Sequence, residues 1–325
     1  MKIYIIKRIL YAIPVIFGVM IITFALFFFL TTPRAIATQI LGEKAKKEVI
    51  DSWIHLKGLD KPYFFNAKAH GFKKLTDTVF VHHMWSLLTF QFGNSFQDDK
   101  PITGKIIARA GPSLFITVPI FILGLFFSIF FSLVLAFFRS TYIDKYGTLL
   151  CVLSMAIVIM IYIISFQWFF GIILKLVPVS GWIDGLDRIR FIMLPVFIGV
   201  IASLGGGIRF YRTIMIEETN KDYVRTARAK GLGESAVLFK HILKNAMIPI
   251  LTNAVMAIPF LFMGALLTEN FFGIPGLGSF TVESLFNNDF PSIKAIIYIG
   301  AILYQVGLII TDISYAMVDP RIVFE

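Results

Sequence analysis

Long stretches without a charged residue alternate with short charged segments along the whole chain. A helix needs about 20 mostly apolar residues to cross roughly 30 Å of hydrocarbon, and a charge near the bilayer centre is costly. Long gaps between charged residues therefore mark candidate membrane-spanning helices. The long gaps lie between Arg8 and Arg34, Arg109 and Arg139, Lys145 and Lys175, Arg190 and Arg209, Lys244 and Glu269, and Lys294 and Asp312, the last with an apolar continuation to Val318. The pattern predicts an all-α, polytopic membrane protein with six transmembrane helices.

The first apolar run has basic residues before it, as a signal peptide does. Its uncharged core, Ile9–Leu30, is longer than the 7–15 residues of a signal-peptide core. We therefore expect it to be retained as the first transmembrane helix.

Composition supports a membrane class and excludes others. Only 15% of the 325 residues are charged, against about 25% in ordinary soluble domains. The hydrophobic residues make up 57% of the chain and include 35 Phe, which excludes disorder and collagen-like folds. Cys151 is the only cysteine, so the chain has no internal disulfide and no cysteine-based zinc site. We expect Cys151 to be a small buried apolar residue.

Basic residues are distributed unequally between alternate loops. If the N-terminus is cytoplasmic, the inner segments hold 14 Lys and Arg, and the short outer loops 174–190 and 271–291 hold 3. This bias follows the positive-inside rule. Segment 31–112 would be outside with 12 more, but connections longer than about 60 residues translocate largely regardless of charge. We predict a multi-pass protein of the cell membrane with both termini in the cytoplasm.

The predicted organisation follows from these spans and their connections. It comprises residues 1–30 (cytoplasmic N-terminus and first helix), 31–112 (extracytoplasmic insertion between helices 1 and 2), 113–318 (five-helix core including the cytoplasmic segment 209–244) and 319–325 (cytoplasmic tail). In the insertion, apolar pairs from Ile40 to Ile54 share one helical face, which predicts an amphipathic helix. His82 and His83 are adjacent and would point in different directions on a helix, so they are a poor metal pair.

Segment 209–244 has mixed charges and a helix–turn–helix pattern. Residues 227–230 favour a helix, Gly231 fits its C-terminal cap, and a second helix is predicted to start near Glu234. Small Ala residues flanked by Arg and Lys suit docking into a groove of a soluble partner. A basic loop on anionic lipid headgroups is the other interpretation.

The run from Asp222 to Leu232, followed by His241–Ala246 and Pro249, resembles the signature of binding-protein-dependent ABC importer permeases, more narrowly the B-type subunit of the oligopeptide, dipeptide and nickel branch. Phe271–Gly278 and Thr311–Arg321 are similar to two further landmarks of that branch. The chain departs from the branch after helix 1, where the frequent Pro-Gly-Asp-Pro is absent.

The resemblance implies a type I ABC importer permease fold and a coupling helix that docks on an ATPase subunit. Arg225, Arg228 and Lys230 would make polar contacts there, while Ala227 and Ala229 would allow close approach. The ATPase-coupling residues implied are Asp222, Tyr223, Arg225, Thr226, Ala227, Arg228, Ala229, Lys230 and Gly231.

The resemblance also implies partners: a second homologous permease subunit, two ATP-binding cassette ATPase subunits and an extracytoplasmic binding protein. The sequence has no phosphate-binding loop, since Gly104-Lys105 lacks the upstream Gly and the following Ser or Thr. We therefore expect the chain to be no enzyme and to bind no cofactor itself, with ATP and Mg²⁺ on the partner subunits.

The substrate is less defined by the sequence. Peptides are the expected cargo, and nickel or another metal chelate is an alternative within the family. Candidate pore-lining polar residues, which equally suit interhelical hydrogen bonds, are Ser154, Ser165, Gln167, Thr252 and Asn253. An ATP-independent secondary transporter would be expected to carry ionisable residues at mid-membrane, and the predicted spans lack them. A membrane scaffold that binds a partner through segment 31–112 is a third hypothesis.

Overall fold

The computed structural model describes residues 2–29, 32–42, 44–67, 71, 73–185 and 187–318. The chain divides into two compact units. Unit 1 comprises residues 1–109 and 280–305, and unit 2 comprises residues 110–279 and 306–325. The predicted cytoplasmic tail 319–325 lies outside the described residues, as does Leu30 at the end of the predicted first span.

The described part of the chain is helical and contains no strand; an isolated bridge joins Asn94 and Pro101. The helices of the N-terminal part are α1 (Lys2–Phe29), α2 (Pro33–Leu41), α3 (Lys47–Leu56), α4 (Lys73–Thr76), α5 (Val79–Leu88) and α6 (Ile102–Phe137). The remaining helices are α7 (Tyr142–Ala156), α8 (Ile159–Phe166), α9 (Arg188–Thr219), α10 (Asp222–Ala229), α11 (Glu234–Ala236), α12 (Leu243–Met263), α13 (Leu266–Phe272), α14 (Leu277–Phe286) and α15 (Phe290–Val318). Two π-helical segments, Gln167–Ile173 and Val237–Ile242, follow α8 and α11.

Within the described residues, five helical stretches are long and apolar enough to cross a membrane. They are Ile6–Phe28, Ile102–Phe137, Arg188–Thr219, Glu234–Met263 and Phe290–Ile313. The all-α membrane fold predicted from the charge-free gaps is thereby confirmed.

The third predicted span is not one straight helix. α7 and the stretch Ile159–Ile173 are bent by 91° at a short break, and they make a sixth span only if the bent pair counts as one. Ile157 and Val158 adopt extended backbone at the break, where no proline or charge marks a boundary in the sequence. The spacing of charges could therefore show the length of this apolar stretch but not its bend.

Small residues let the helices of unit 2 approach one another closely. A Cβ added at Gly205 of α9 would lie 2.7 Å from the carbonyl oxygen of Cys151 in α7. Gly199 and Gly207 similarly face Ile120 and Ser128 of α6. Close backbone approach at small residues is a general mode of helix packing in membranes. Cys151 itself is 6% exposed, as expected for a small apolar residue.

An ion pair with a buried carboxylate joins α7 to α9 in unit 2. The guanidinium of Arg212 donates to both carboxylate oxygens of Asp144, over 2.6 Å and 2.7 Å, and the backbone N–H of Ser140 donates to the same carboxylate. A two-pronged Arg–carboxylate contact is both strong and directional. It fixes the turn between α6 and α7 against the end of α9.

In unit 1, α2 to α5 belong to the long segment after the first span. The amphipathic helix expected from Ile40 to Ile54 is wrong as a continuous element, because the chain turns between α2 and α3. Gly42 at this turn has φ 92°, a conformation that L side chains rarely adopt. Asp289 anchors another part of the unit: its buried carboxylate accepts hydrogen bonds from the hydroxyls of Ser95 and Ser292 and the backbone N–H of Phe96.

Candidate functional site

The short helix α10 is the element that the sequence motif singles out. It begins after the extended residue Lys221, and Gly231 follows its cap residue Lys230 with φ 75°. Only glycine adopts that left-handed conformation without strain. The Gly231 N–H donates to the carbonyl of Arg228, and α11 starts at Glu234. The predicted helix–turn–helix is confirmed.

One face of α10 is packed inside unit 2. Val224 and Ala227 are 0% and 4% exposed and belong to a buried apolar cluster. The other members of this cluster are Leu133, Ala136, Tyr211, Met215, Val237, Leu238, Ile242, Ala246 and Ile250. Helix α10 therefore packs against the C-terminal part of α9, against the π-helical segment that leads into α12, and against α6. A force on α10 would be transmitted directly to these membrane helices.

The opposite face of α10 is exposed, and we call it the α10 outer face. It consists of Asp222, Arg225, Thr226, Arg228, Ala229 and Lys230. Arg225 lies 3.5 Å from Asp222 with 74% of its side chain exposed, and Arg228 pairs with Glu234 in the following turn. Exposed ion pairs of this kind contribute at most about 1 kcal/mol to stability. These charges are thus available to a partner at little cost to the fold.

Tyr223 lies between the two faces of α10. Its hydroxyl donates a short hydrogen bond to the carboxylate of Glu218 at the end of α9. Burial raises the pKa of Tyr223 to about 12, and the hydrogen bond to the Glu218 carboxylate contributes to this rise. The phenol therefore stays protonated at neutral pH. Tyr223 therefore holds α10 to α9 as a hydrogen-bond donor.

The structure divides the nine predicted coupling residues into three groups. The residues of the α10 outer face point away from the chain. Ala227 instead points into unit 2, so its small side chain allows α10 to approach the chain's own core and does not form part of the exposed surface. Tyr223 and Gly231 shape the helix and its turn.

A cavity of about 340 Å³ lies among α6, α9 and α12 in unit 2. Ser128, Ser203, Tyr211 and Asn253 supply polar atoms to its wall, and the Tyr211 hydroxyl donates to the Asn253 side chain over 3.2 Å. Of the five predicted pore-lining residues, Asn253 lines this cavity. Ser154 and Thr252 donate to carbonyls of their own helices, Gln167 donates to the carbonyls of Val179 and Phe271, and Ser165 is exposed.

In the sequence, Glu269 is conspicuous only as the charged residue that ends an apolar gap. Its side chain is fully buried and accepts hydrogen bonds from the Ser113 hydroxyl (2.8 Å) and the backbone N–H groups of Ala265 (2.9 Å) and Ser279 (3.0 Å). Gly264, Gly276 and Gly278 surround the carboxylate, and a Cβ at each would collide with it. The Gly-rich stretch around Pro275 was the available signal. Within the described residues, no group of three or more His, Cys, Asp or Glu could hold a metal ion.

Comparison with known proteins gives consistent matches over the whole chain. Residues 103–324 match the family model described as binding-protein-dependent transport system inner membrane component, and residues 1–117 match the corresponding N-terminal model. The oligopeptide transport system permease protein AppB of Bacillus subtilis is 32% identical over 338 residues, covering 99% of each chain. The glutathione transport system permease proteins GsiC of Escherichia coli K12 and Salmonella typhi are each 30% identical, again covering 99% of each chain.

Proposed function

This chain belongs to the family of inner membrane components of binding-protein-dependent transport systems, and we propose that it is a permease subunit of an ATP-driven peptide importer. It forms the pathway together with a second permease subunit, and it receives its substrate from an extracytoplasmic binding protein. As a permease it is a transport component and not an enzyme; two partner ATPase subunits hydrolyse ATP.

The observation that carries this proposal is the two-faced construction of α10. Its exposed outer face offers basic residues and the small Ala229 to a partner, while its buried face is packed against the ends of membrane helices. A helix seated in an ATPase groove would therefore pass a movement of that subunit to α9 and α12. An ATP-independent carrier has no need of such a helix.

Peptides as the cargo are supported by the relatives, which are named as oligopeptide and glutathione permeases and align over nearly the full chain. The cavity beside Asn253 and Tyr211 offers neutral hydrogen-bonding groups in an apolar wall. Such groups suit the amide bonds of a peptide. We propose that this cavity lies beside the transport pathway.

The proposed orientation has both termini in the cytoplasm, with α10 on the same side. The excess of Lys and Arg in the loops assigned to the cytoplasm supports this orientation. The coupling role proposed for α10 also requires it, because the ATPase subunits are cytoplasmic. Segment 31–112 then lies outside, where the binding protein docks.

The test of coupling is charge reversal on the α10 outer face. The complete transporter carrying Arg225→Glu and Arg228→Glu is reconstituted in vesicles, and ATP hydrolysis and peptide uptake are measured. We expect uptake and substrate-stimulated ATPase activity to fall at least about tenfold, while membrane insertion is unchanged. Lys145→Glu, an exposed lysine at the start of α7 and outside both α10 and segment 31–112, is the matched control. Full uptake by the double variant refutes the coupling role.

A competition experiment tests the cargo. Uptake of a labelled dipeptide by the wild-type transporter with its binding protein is measured against unlabelled tripeptide, glutathione and a nickel chelate. Competition by the peptides alone supports the proposal. Absence of dipeptide uptake, or competition by the nickel chelate and by none of the peptides, contradicts it.

A further inference from the structure

A second cavity, in unit 1, is separate from the coupling helix and from the cavity beside Asn253. It has a volume of about 430 Å³, within the range of ligand-binding pockets. Phe27 and Phe28 at the end of α1 and Phe290 at the start of α15 form part of its wall, and α3 and α5 contribute to the rest. Both α1 and α15 are membrane-spanning helices. The cavity therefore lies at the level where the hydrocarbon core ends and lipid headgroups begin.

Three lysines line this cavity, and they differ in their partners. Lys57 is paired with Asp99 at 2.8 Å, and Lys61 with Asp77 at 2.7 Å. Among the described residues, no carboxylate forms an ion pair with Lys294. An ammonium group on a cavity wall without a counter-ion favours a negatively charged ligand.

His83 supplies a second polar group with an unmet requirement. It is 3% exposed and lines the same cavity. Burial, to which the charge of Lys294 adds, lowers the pKa of His83 to about 3, so the imidazole is neutral at physiological pH. Its Nε2 lies 3.1 Å from the carbonyl oxygen of Met20, which can only accept, so Nε2 carries the proton.

The tautomer fixes what the other ring nitrogen can do. Nδ1 of His83 must be an acceptor, and in the described part of the chain this buried atom has no hydrogen-bond partner. An unsatisfied buried acceptor costs free energy, which a ligand hydroxyl would recover. His83 lines the cavity, but Nδ1 itself has almost no accessible surface, so a ligand hydroxyl would reach it only after a small shift of the wall. The same wall holds the cation of Lys294 and the apolar rings of Phe27, Phe28 and Phe290.

We propose that this cavity binds the headgroup of an anionic phospholipid, with the phosphate on Lys294 and a headgroup hydroxyl donating to Nδ1 of His83. Phosphatidylglycerol carries both groups. The phenylalanines contact the first carbons of the acyl chains, since their position at the ends of two spans is the depth at which these carbons lie. A soluble phosphate ester has the same charge but lacks the acyl chains that the apolar wall would bind.

The test measures lipid retained by the purified complete transporter after exchange into detergent, by native mass spectrometry. We expect phosphatidylglycerol to be retained in about tenfold preference to phosphatidylcholine, and Lys294→Met to remove that preference. Lys294→Arg keeps the charge and should keep the preference. Lys74→Gln, which removes an exposed lysine elsewhere in unit 1, should leave it unchanged. Undiminished preference in Lys294→Met overturns the proposal.

Two further arms identify the ligand. Phosphatidylmethanol has the same phosphodiester charge without the hydroxyl, so the wild type should retain it less than phosphatidylglycerol. His83→Leu removes Nδ1 without supplying another acceptor, while the Thr23 hydroxyl still donates to the Met20 carbonyl. It should abolish that difference, and an unchanged difference refutes the role of His83. Displacement of the lipid by equimolar soluble glycerol phosphate, or by peptide, overturns the assignment to lipid. Thermal unfolding of each variant identifies any that fails to fold.

Discussion

The α10 outer face and the surroundings of Glu269 are both charged, glycine-bounded regions of unit 2, and they are built in opposite ways. On α10 the charges are exposed and paired loosely, while the apolar residues face inward. Around Glu269 the charge is buried, its donors are a serine hydroxyl and backbone N–H groups, and glycines leave no free volume. A charged residue therefore serves recognition where it is exposed, as on α10, and stability of the fold where it is buried, as at Glu269.

The largest effect is expected at Glu269. Replacement of Glu269 by Ala leaves two buried donors, the Ser113 hydroxyl and the Ser279 N–H, and the partly buried N–H of Ala265 without an acceptor, at about 1–3 kcal/mol for each buried donor. We expect Glu269→Ala to lower the unfolding free energy by about 3 kcal/mol or more, measured by thermal unfolding of the purified transporter.

The control for Glu269 is Asp184→Asn. Asp184 is 86% exposed and pairs with Arg188, so its loss should cost less than about 1 kcal/mol. Equal destabilisation by the two variants would show that burial is not what distinguishes Glu269.

The next effect concerns two alanines on α10 that the sequence does not distinguish. Ala227 is buried in the apolar cluster, and Ala229 belongs to the α10 outer face. We expect Ala227→Trp to destabilise the protein by about 1–3 kcal/mol or more through overpacking. Ala229→Trp should leave the unfolding temperature unchanged and reduce ATPase-coupled uptake. If both variants unfold alike, the assignment of the two faces is wrong.

A smaller effect on stability is expected at the glycines that surround the buried carboxylate of Glu269. A Cβ at Gly278 would lie 2.8 Å from the backbone nitrogen of Leu266 and 2.9 Å from the Glu269 carboxylate. We expect Gly278→Ala to cost about 1–3 kcal/mol. Gly206 in α9 has no atom within 4 Å of a built Cβ. Gly206→Ala should therefore be neutral or slightly stabilising, and a comparable loss in both variants would contradict the steric argument.

The smallest effect on stability is expected at Arg225. Because 74% of its side chain is exposed, Arg225→Glu should change the unfolding free energy by no more than about 0.5 kcal/mol. The same variant is expected to impair coupling, so stability and transport separate at this position. A large drop in the unfolding temperature would assign Arg225 to the fold instead.

Much of the fold and part of the site could be predicted from the order of residue types. The charge-free gaps located the membrane helices, because the cost of a charge in hydrocarbon depends on local composition. Gly231 predicted the end of α10, because a left-handed backbone conformation is a local requirement that favours glycine. The 91° bend at Ile157 and Val158 was missed because no proline or charge interrupts the apolar run there. At the other turn Gly42 was an available signal for a helix end, but the spacing of the apolar pairs on either side favoured one continuous helix.

The membrane class, the positions of the spans and helix α10 follow from composition and spacing within one segment, so the order of residues was enough to predict them. The packing of the folded chain was needed to show that Ala227 is internal and Ala229 external, that Ser113 donates to Glu269, and that Lys294 and His83 line one cavity. Ser113 and Glu269 are far apart along the chain, and so are His83 and Lys294. Their environments depend on how distant helices pack, which no local pattern specifies.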